Sequence, residues 1–311
     1  MKSTRFIRHT NMQNSPCPDW ATALLNGFSQ IFLQRHPLCG LLCLLAILFT
    51  APALFGGALL GGVAGLLTAQ RRGYAKADRQ AGLFSYNGVL LGLLLGLALP
   101  WSALLPPLII AGGGLSAMLT QQWLQRTRAP HCLPAYTAPF VGLAWLVLGL
   151  VPASPAPVPV EMTLFNWLVA PLKGLGQVMF LDHPLAGALI SAGLLGADRR
   201  AAGWALFGSA AGFVFVWLHH DSEQALLGLG GHNCALVALA LSQQRGQPWL
   251  PLAGIVLALL LAPGFAALGL APLTAPFILA CWLVRATART WRQIRLDTTP
   301  CTLRGNRPRL R

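Results

Sequence analysis

The feature that most constrains this chain is a succession of apolar segments, at about 21–34, 37–51, 54–70, 82–99, 103–124 and 131–151, then 163–181, 184–197, 201–218, 225–242, 249–262 and 266–284. The count is six and six. Several of these stretches are long enough to cross a ~30 Å hydrocarbon core. An ordinary soluble domain carries about 25% charged residues, whereas here charged residues are 10% and hydrophobic residues 55% of the chain. A soluble globular fold is excluded, and an all-α integral membrane protein is expected. The 33 glycines and 23 prolines fit, because small residues let membrane helices approach closely and both types are commoner there than in soluble helices.

A net charge of +14 in a soluble protein would point to nucleic acid. Here the basic residues sit almost entirely in short joints between apolar runs and at the two ends, where they mark the cytoplasmic side of a membrane protein. No nucleic-acid partner is expected. The seven cysteines, Cys17, Cys39, Cys43, Cys132, Cys234, Cys281 and Cys301, are odd in number and form no C-x-x-C pair, so neither a disulfide framework nor a zinc site follows. The N-terminus is polar and lacks the apolar core of a cleavable signal peptide.

Between the halves lies PASPAPVPVE, a proline-rich stretch that cannot be a helix interior. The two flanking regions repeat one another. Gly27-x-x-Gln30…His36-Pro37-Leu38-x-Gly40 matches Gly174-x-x-Gln177…His183-Pro184-Leu185-x-Gly187, six of fourteen positions being identical. Gly82-Leu83…Asn87…Leu90 matches Gly228-Leu229…Asn233…Leu236, and Thr137-Ala-Pro-Phe140 matches Thr274-Ala-Pro-Phe277, followed at the same offset by Trp145 and Trp282. The separations are 147, 146 and 137 residues, in the same order. Such order marks a tandem duplication: a cytoplasmic segment at 1–20, a first repeat at 21–151, an external connector at 152–162, a second repeat at 163–284 and a basic cytoplasmic tail at 285–311.

If the first segment of each half is re-entrant and the other five span, with the N-terminus inside, 21 of the 22 lysines and arginines fall on the inside. The exception is Lys173, within the second re-entrant segment. The outside joints hold Glu161, Asp221 and Glu223. Five is odd, so the second copy is expected upside down, with a site near the midplane at the repeat interface.

Few polar side chains lie within the apolar segments, and those that recur are Gln30 and Gln177, Asn87 and Asn233, Thr137 and Thr274. A buried amide or hydroxyl in hydrocarbon must be hydrogen-bonded or face a cavity. Each is therefore either inter-helix glue or pore lining, and recurrence in both copies favours the pore. None is ionised at neutral pH. The acidic residues all fall at segment ends or joints, whereas a cation pore or a proton-coupled carrier would be expected to place carboxylates, carbonyls or a histidine relay in its spans. The substrate is expected to be uncharged. His36 and His183, each before a proline, suit a structural role at a helix start. His219-His220-Asp221 suits a solvated loop better than a metal site. His232 aligns with Tyr86 beside Asn233 and is expected to line the pore. With no metal motif, nucleotide loop or nucleophile–base pair, neither enzyme activity nor a cofactor is expected.

The duplicated motifs GxxQ, LFSYNGVLLG and TAPF resemble those of the urea transporter family, over nearly the whole chain. That resemblance implies homotrimers with one pore per subunit, ten spanning helices and two re-entrant half-helices. For this chain it implies a passive urea channel of the bacterial inner membrane, in contact with lipid. Urea would slide through a slot between flat apolar and aromatic side chains while its N–H groups bond a ladder of oxygens. Carried over by position, the pore residues are Gln30, Ile31 and Leu33 with Gln177, Val178 and Phe180, then Tyr86 and His232, Asn87 and Asn233, Leu90 and Leu236, and Thr137 and Thr274. The family's glutamate is replaced by Gln177, and its phenylalanines by Leu33, Tyr86 and His232, so another small neutral solute, a short amide or ammonia, is the alternative. A pH response is expected from His232, since imidazole titrates near pH ~6.5.

Overall fold

The structure, a computed structural model, describes residues 19–126, 133–150, 161–219, 221–244 and 246–297. Cys17, Cys132, Cys301, His220, most of the connector and most of both basic ends lie outside the described residues.

Among the described residues the chain is helical and has no strand. The first half contains α1 (Asp19–Gln30), α2 (Pro37–Thr50), α3 (Pro52–Arg71), α4 (Lys76–Gln80), α5 (Tyr86–Ala98), α6 (Leu105–Arg126) and α7 (Ala138–Leu148). The second repeats that order as α8 (Leu164–Gln177), α9 (Pro184–Ala197), α10 (Arg199–Leu218), α11 (Ser222–Leu226), α12 (Gly231–Ser242), α13 (Trp249–Ala267) and α14 (Ala275–Asp297). By length and composition α3, α10 and α13 can each cross a membrane, and α2, α5, α7, α9 and α12 are shorter apolar helices. Large apolar side chains such as Phe49, Leu104, Leu146, Phe165 and Leu260 are exposed around the molecule. A surface of that kind marks a membrane or protein-interaction face.

Local chemistry explains the helix starts. His36 and His183 stand outside α2 and α9 as N-caps, their Nδ1 atoms accepting from Cys39 N–H (3.3 Å) and Leu185 N–H (3.1 Å). Each is followed by proline at the first helical position, where no N–H is needed. This is the structural role expected for both histidines. Asp198 caps α10 by accepting from Arg200 and Ala201, and Asp221 caps α11 by accepting from Gln224.

The segments read from sequence at 82–99 and 225–242 are helical only in part, α5 starting at Tyr86 and α12 at Gly231. A turn separates α4 from α5 and another separates α11 from α12. Gly82 (φ 79°) and Gly228 (φ 80°) stand at the two breaks, where a side chain would run into the backbone of Asn26 and Gly27 or of Lys173 and Gly174. At 1.5 Å per residue α5 spans only ~20 Å and α12 ~18 Å. Each begins inside the protein, where its unpaired N–H groups need internal partners.

Pairs of helices approach backbone to backbone. In α3 and α5, Gly61 faces the Gly88 carbonyl and Gly65 the Phe84 carbonyl; in α10 and α12, Gly208 faces the Cys234 carbonyl and Gly212 the Gly230 carbonyl. These four glycines are equivalent at the 147-residue offset. The halves join along α2 and α9, where Gly193 lies against Cys39. They also join at the TAPF elements, where Trp145 Nε1 donates to Ala271 O (2.8 Å) and Trp282 Nε1 to Pro134 O (2.9 Å). Because 134 and 271 are equivalent positions, as are 145 and 282, each half gives the other the contact it receives.

Candidate solute pathway

At the centre of this exchange Thr137 and Thr274, the residues that open α7 and α14, touch through their hydroxyls at 2.7 Å, and each is only 4% exposed. One lone pair serves the mutual bond. A hydroxyl carries two lone pairs, so the pair retains acceptor capacity.

The asparagines hold the threonines in place. Asn87 Oδ1 accepts from Phe140 N–H (3.3 Å) and its Nδ2 donates to Thr120 Oγ1 (3.2 Å). In the second half Asn233 Oδ1 accepts from Phe277 N–H (3.1 Å) and its Nδ2 donates to Leu273 O (2.9 Å). Each amide satisfies an N–H in the first turn of the TAPF helix from a neighbouring helix. Both ends of the Asn87 amide are engaged inside the protein, as are those of Asn233.

One step outward the equivalence continues through different side chains. The Tyr86 hydroxyl donates to Tyr136 O, and His232 Nε2 lies 3.0 Å from Leu273 O and 2.8 Å from Asn233 Nδ2. Residues 136 and 273 are themselves equivalent and both have positive φ, 44° and 46°. Non-glycine residues rarely take that conformation, and here the hydrogen bonds from positions 86 and 232 fix it. His232 Nδ1 is buried without a partner.

The two helix-end motifs are also alike. Gln30 and Gln177 end α1 and α8, Ile31 and Val178 are buried in the turns that follow, and Leu33 (φ 57°) and Phe180 (φ 60°) reverse the chain. Gln177 Nε2 donates to Leu227 O at the α11–α12 break (3.0 Å), and Leu33 O accepts from Gln243 Nε2 (3.3 Å). Leu90 and Leu236 are buried in the same central cluster as Ile31 and Val178.

A cavity of about 550 Å³ opens beside the second-half set, lined by Gln177, Phe180, His219, Asp221, His232, Asn233 and Leu273 among others. His219, read from sequence as part of a solvated loop, lines this cavity. Phe180 stands edge-on to Phe140 across the halves (6.2 Å). Sequence reasoning passed over Tyr136 and Leu273, although both immediately precede a repeated motif. No group of three or more metal-ligating side chains occurs among the described residues.

Apolar helices with an apolar outer surface, whose two halves converge on uncharged hydrogen-bonding groups, define among the described residues a multi-pass membrane protein. The sequence pattern described as urea transporter matches residues 21–289, and the chain belongs to the urea transporter family. Urea transporter 1 of Ovis aries is 25% identical over 244 residues, covering 72% of this chain and 62% of that protein. Urea transporter 1 of Mus musculus is 26% identical over 252 residues with the same shares. The chain thus spans less than two thirds of the length of these curated relatives.

Proposed function

We propose that this protein conducts urea passively through a pore along the junction of its halves. The observation that carries the reading is the buried Thr137–Thr274 pair, held by backbone-anchored neighbours, with Ile31, Val178, Leu90 and Leu236 buried in the central apolar cluster. Urea is flat and neutral, with four N–H donors and one carbonyl acceptor. It needs apolar faces to slide between and oxygens in the plane of its N–H groups, and an unmet donor costs about 1–3 kcal/mol. The path runs from the cavity past Phe180 and His232 to the threonines, then past Leu33 and Tyr86 on the first-half side.

In this reading each half contributes one re-entrant half-helix, α1 or α8, and five spans, the third being a broken helix. The second half is inverted about a pseudo-two-fold axis through the threonines. Both ends lie in the cytoplasm, the membrane is a bacterial inner membrane, and three subunits assemble with a pore in each.

In this reading transport needs no ion coupling, since among the described residues no carboxylate is buried. Purified protein in liposomes is expected to carry urea down its gradient and to equalise it. Accumulation driven by an imposed proton or sodium gradient would overturn the channel. Comparison with acetamide, methylurea and ammonia tests the alternative solute, which the Leu33, Tyr86 and His232 departures favour: faster flux of one of these than of urea would make it the substrate.

A further inference from the structure

The two halves differ along the polar side of their first helices. In the first half Asn26 Nδ2 donates to Gln80 O (2.7 Å), and Asp19 pairs with Lys76 (2.9 Å). At the offset of 147 residues Asn26 becomes Lys173, Asp19 becomes Asn166 and Arg35 becomes Asp182. Lys173 is only 7% exposed, yet among the described residues no hydrogen bond or ion pair engages its ammonium. It opens instead on a pocket of about 490 Å³, lined also by Phe165, Asn166, Asp182, His183 and Leu185. None of these residues lines the cavity of the solute pathway.

A lysine withdrawn this far from water without a partner is costly, and in a membrane protein its apolar stem ordinarily carries the ammonium to the headgroup level. The pocket lies at such a boundary. Glu161 and Thr163 precede it and are exposed, whereas Leu164, Phe165 and Leu168 turn large apolar surfaces outward beside Trp167. Polar groups meeting apolar ones at a tryptophan mark the membrane–water interface. The pocket carries charges of both signs, since the Asp182 carboxylate acts on Lys173 across it without pairing. His183 Nδ1 accepts from Leu185 N–H (3.1 Å), which leaves Nε2 of the neutral ring as a donor. The N-terminus of α9, beside it, favours an anion. A simple anion would be opposed by Asp182 and a simple cation by Lys173, whereas a ligand with both charges a few bonds apart meets both. We propose that this pocket binds the phosphoethanolamine headgroup of a membrane phospholipid. The phosphate lies on Lys173 and His183, the primary ammonium on Asp182, and the acyl chains run along Phe165 and Leu185. Lys173 stands one turn before Gln177 on α8, so the headgroup braces the back of the helix whose end meets the solute cavity.

The test is titration of the detergent-purified full chain with phosphatidylethanolamine, phosphatidylcholine and phosphatidylglycerol of identical acyl chains, bound lipid being read by native mass spectrometry. Phosphatidylcholine keeps both charges but has no ammonium N–H, and phosphatidylglycerol keeps the phosphate and lacks the cation. The wild type is expected to hold phosphatidylethanolamine about tenfold more tightly than either, the range of one charge-assisted hydrogen bond. Lys173→Met, which keeps the stem, is expected to weaken phosphatidylethanolamine binding by about the same factor. Asp182→Asn is expected to cancel its advantage over the other two lipids. Asp182 is exposed, so this variant decides the matter if Lys173→Met does not fold. Equal affinity of the wild type for all three lipids, or a preference for phosphatidylethanolamine that survives Asp182→Asn, would overturn the site. Glycerophosphoethanolamine, the same headgroup without chains, is expected to leave the bound lipid in place. Displacement at concentrations matching those of the lipid would make the ligand a soluble phosphate ester and overturn the lipid assignment. These readouts are independent of which solute the protein carries.

Discussion

At the residue scale the interior is held by side chains that spend their hydrogen bonds on backbone. Asn87 and Asn233 each accept from an N–H in the first turn of a TAPF helix, and Tyr86 and His232 each engage the carbonyl before the threonine. The threonine hydroxyls are left with only one another. Replacing Thr137 or Thr274 by valine keeps the shape and removes an acceptor. Urea flux into liposomes is expected to fall about tenfold in either variant, within the range for an unmet buried donor. Unaltered flux in both would take the threonines out of the pathway. His232 carries a second prediction. Its Nε2 is occupied and its Nδ1 is not, so protonation adds a donor and a positive charge beside the cavity, which in the proposed reading receives the N–H edge of urea. Flux at pH 5.5 is expected to be lower than at pH 8. His232→Phe is expected to flatten that profile while flux persists, and a profile identical to wild type would clear the histidine of the effect.

At the element scale the helices are spaced by glycine. A Cβ on Gly61 would strike the Gly88 carbonyl, and one on Gly208 the Cys234 carbonyl; neither obstacle is a side chain that can rotate away. Alanine at a helical glycine gains up to about 1 kcal/mol in propensity, while forced overpacking costs about 1–3 kcal/mol. Gly61→Ala and Gly208→Ala are therefore expected to lower the thermal unfolding midpoint in detergent. Gly142→Ala, with open space around it, is expected to leave the midpoint unchanged or raise it. Equal midpoints for all three would show that the close crossings carry no stability. The duplication was legible in the sequence because Gln30, His36, Asn87 and Thr137 recur in order, and the capping histidines because each precedes proline. The broken helices were harder to see, since the apolar run continues through the turn at Leu83 and Phe84, and a moving hydropathy window registers composition rather than the positive φ of Gly82. The bonds from Tyr86 and His232 were out of reach for another reason: their acceptors are backbone carbonyls, which every residue has and no motif marks.

At the scale of the whole molecule the charges at equivalent joints are opposed. From the end of α3 to α5 the first half carries Arg71, Arg72, Lys76 and Arg79 against the single Asp78, whereas the matching stretch between α10 and α12 carries Asp221 and Glu223 and no lysine or arginine. Arg35 precedes α2 where Asp182 precedes α9, and Arg199 and Arg200 open α10 where Pro52 and Ala53 open α3. Two copies inserted in the same direction would gain from basic residues at the same joints, because lysine and arginine are retained on the cytoplasmic side. Copies inserted in opposite directions must exchange them, which is the pattern observed. The exchanged tryptophan bonds are what a two-fold axis between the halves produces, and the inversion proposed above lays that axis in the membrane plane. Reporter fusions after Glu161 and after Arg311 are expected to mark the external and the cytoplasmic side respectively. The same side for both would mean an even number of crossings in the second half, and the halves would then be parallel copies, with the charge reversal left unexplained.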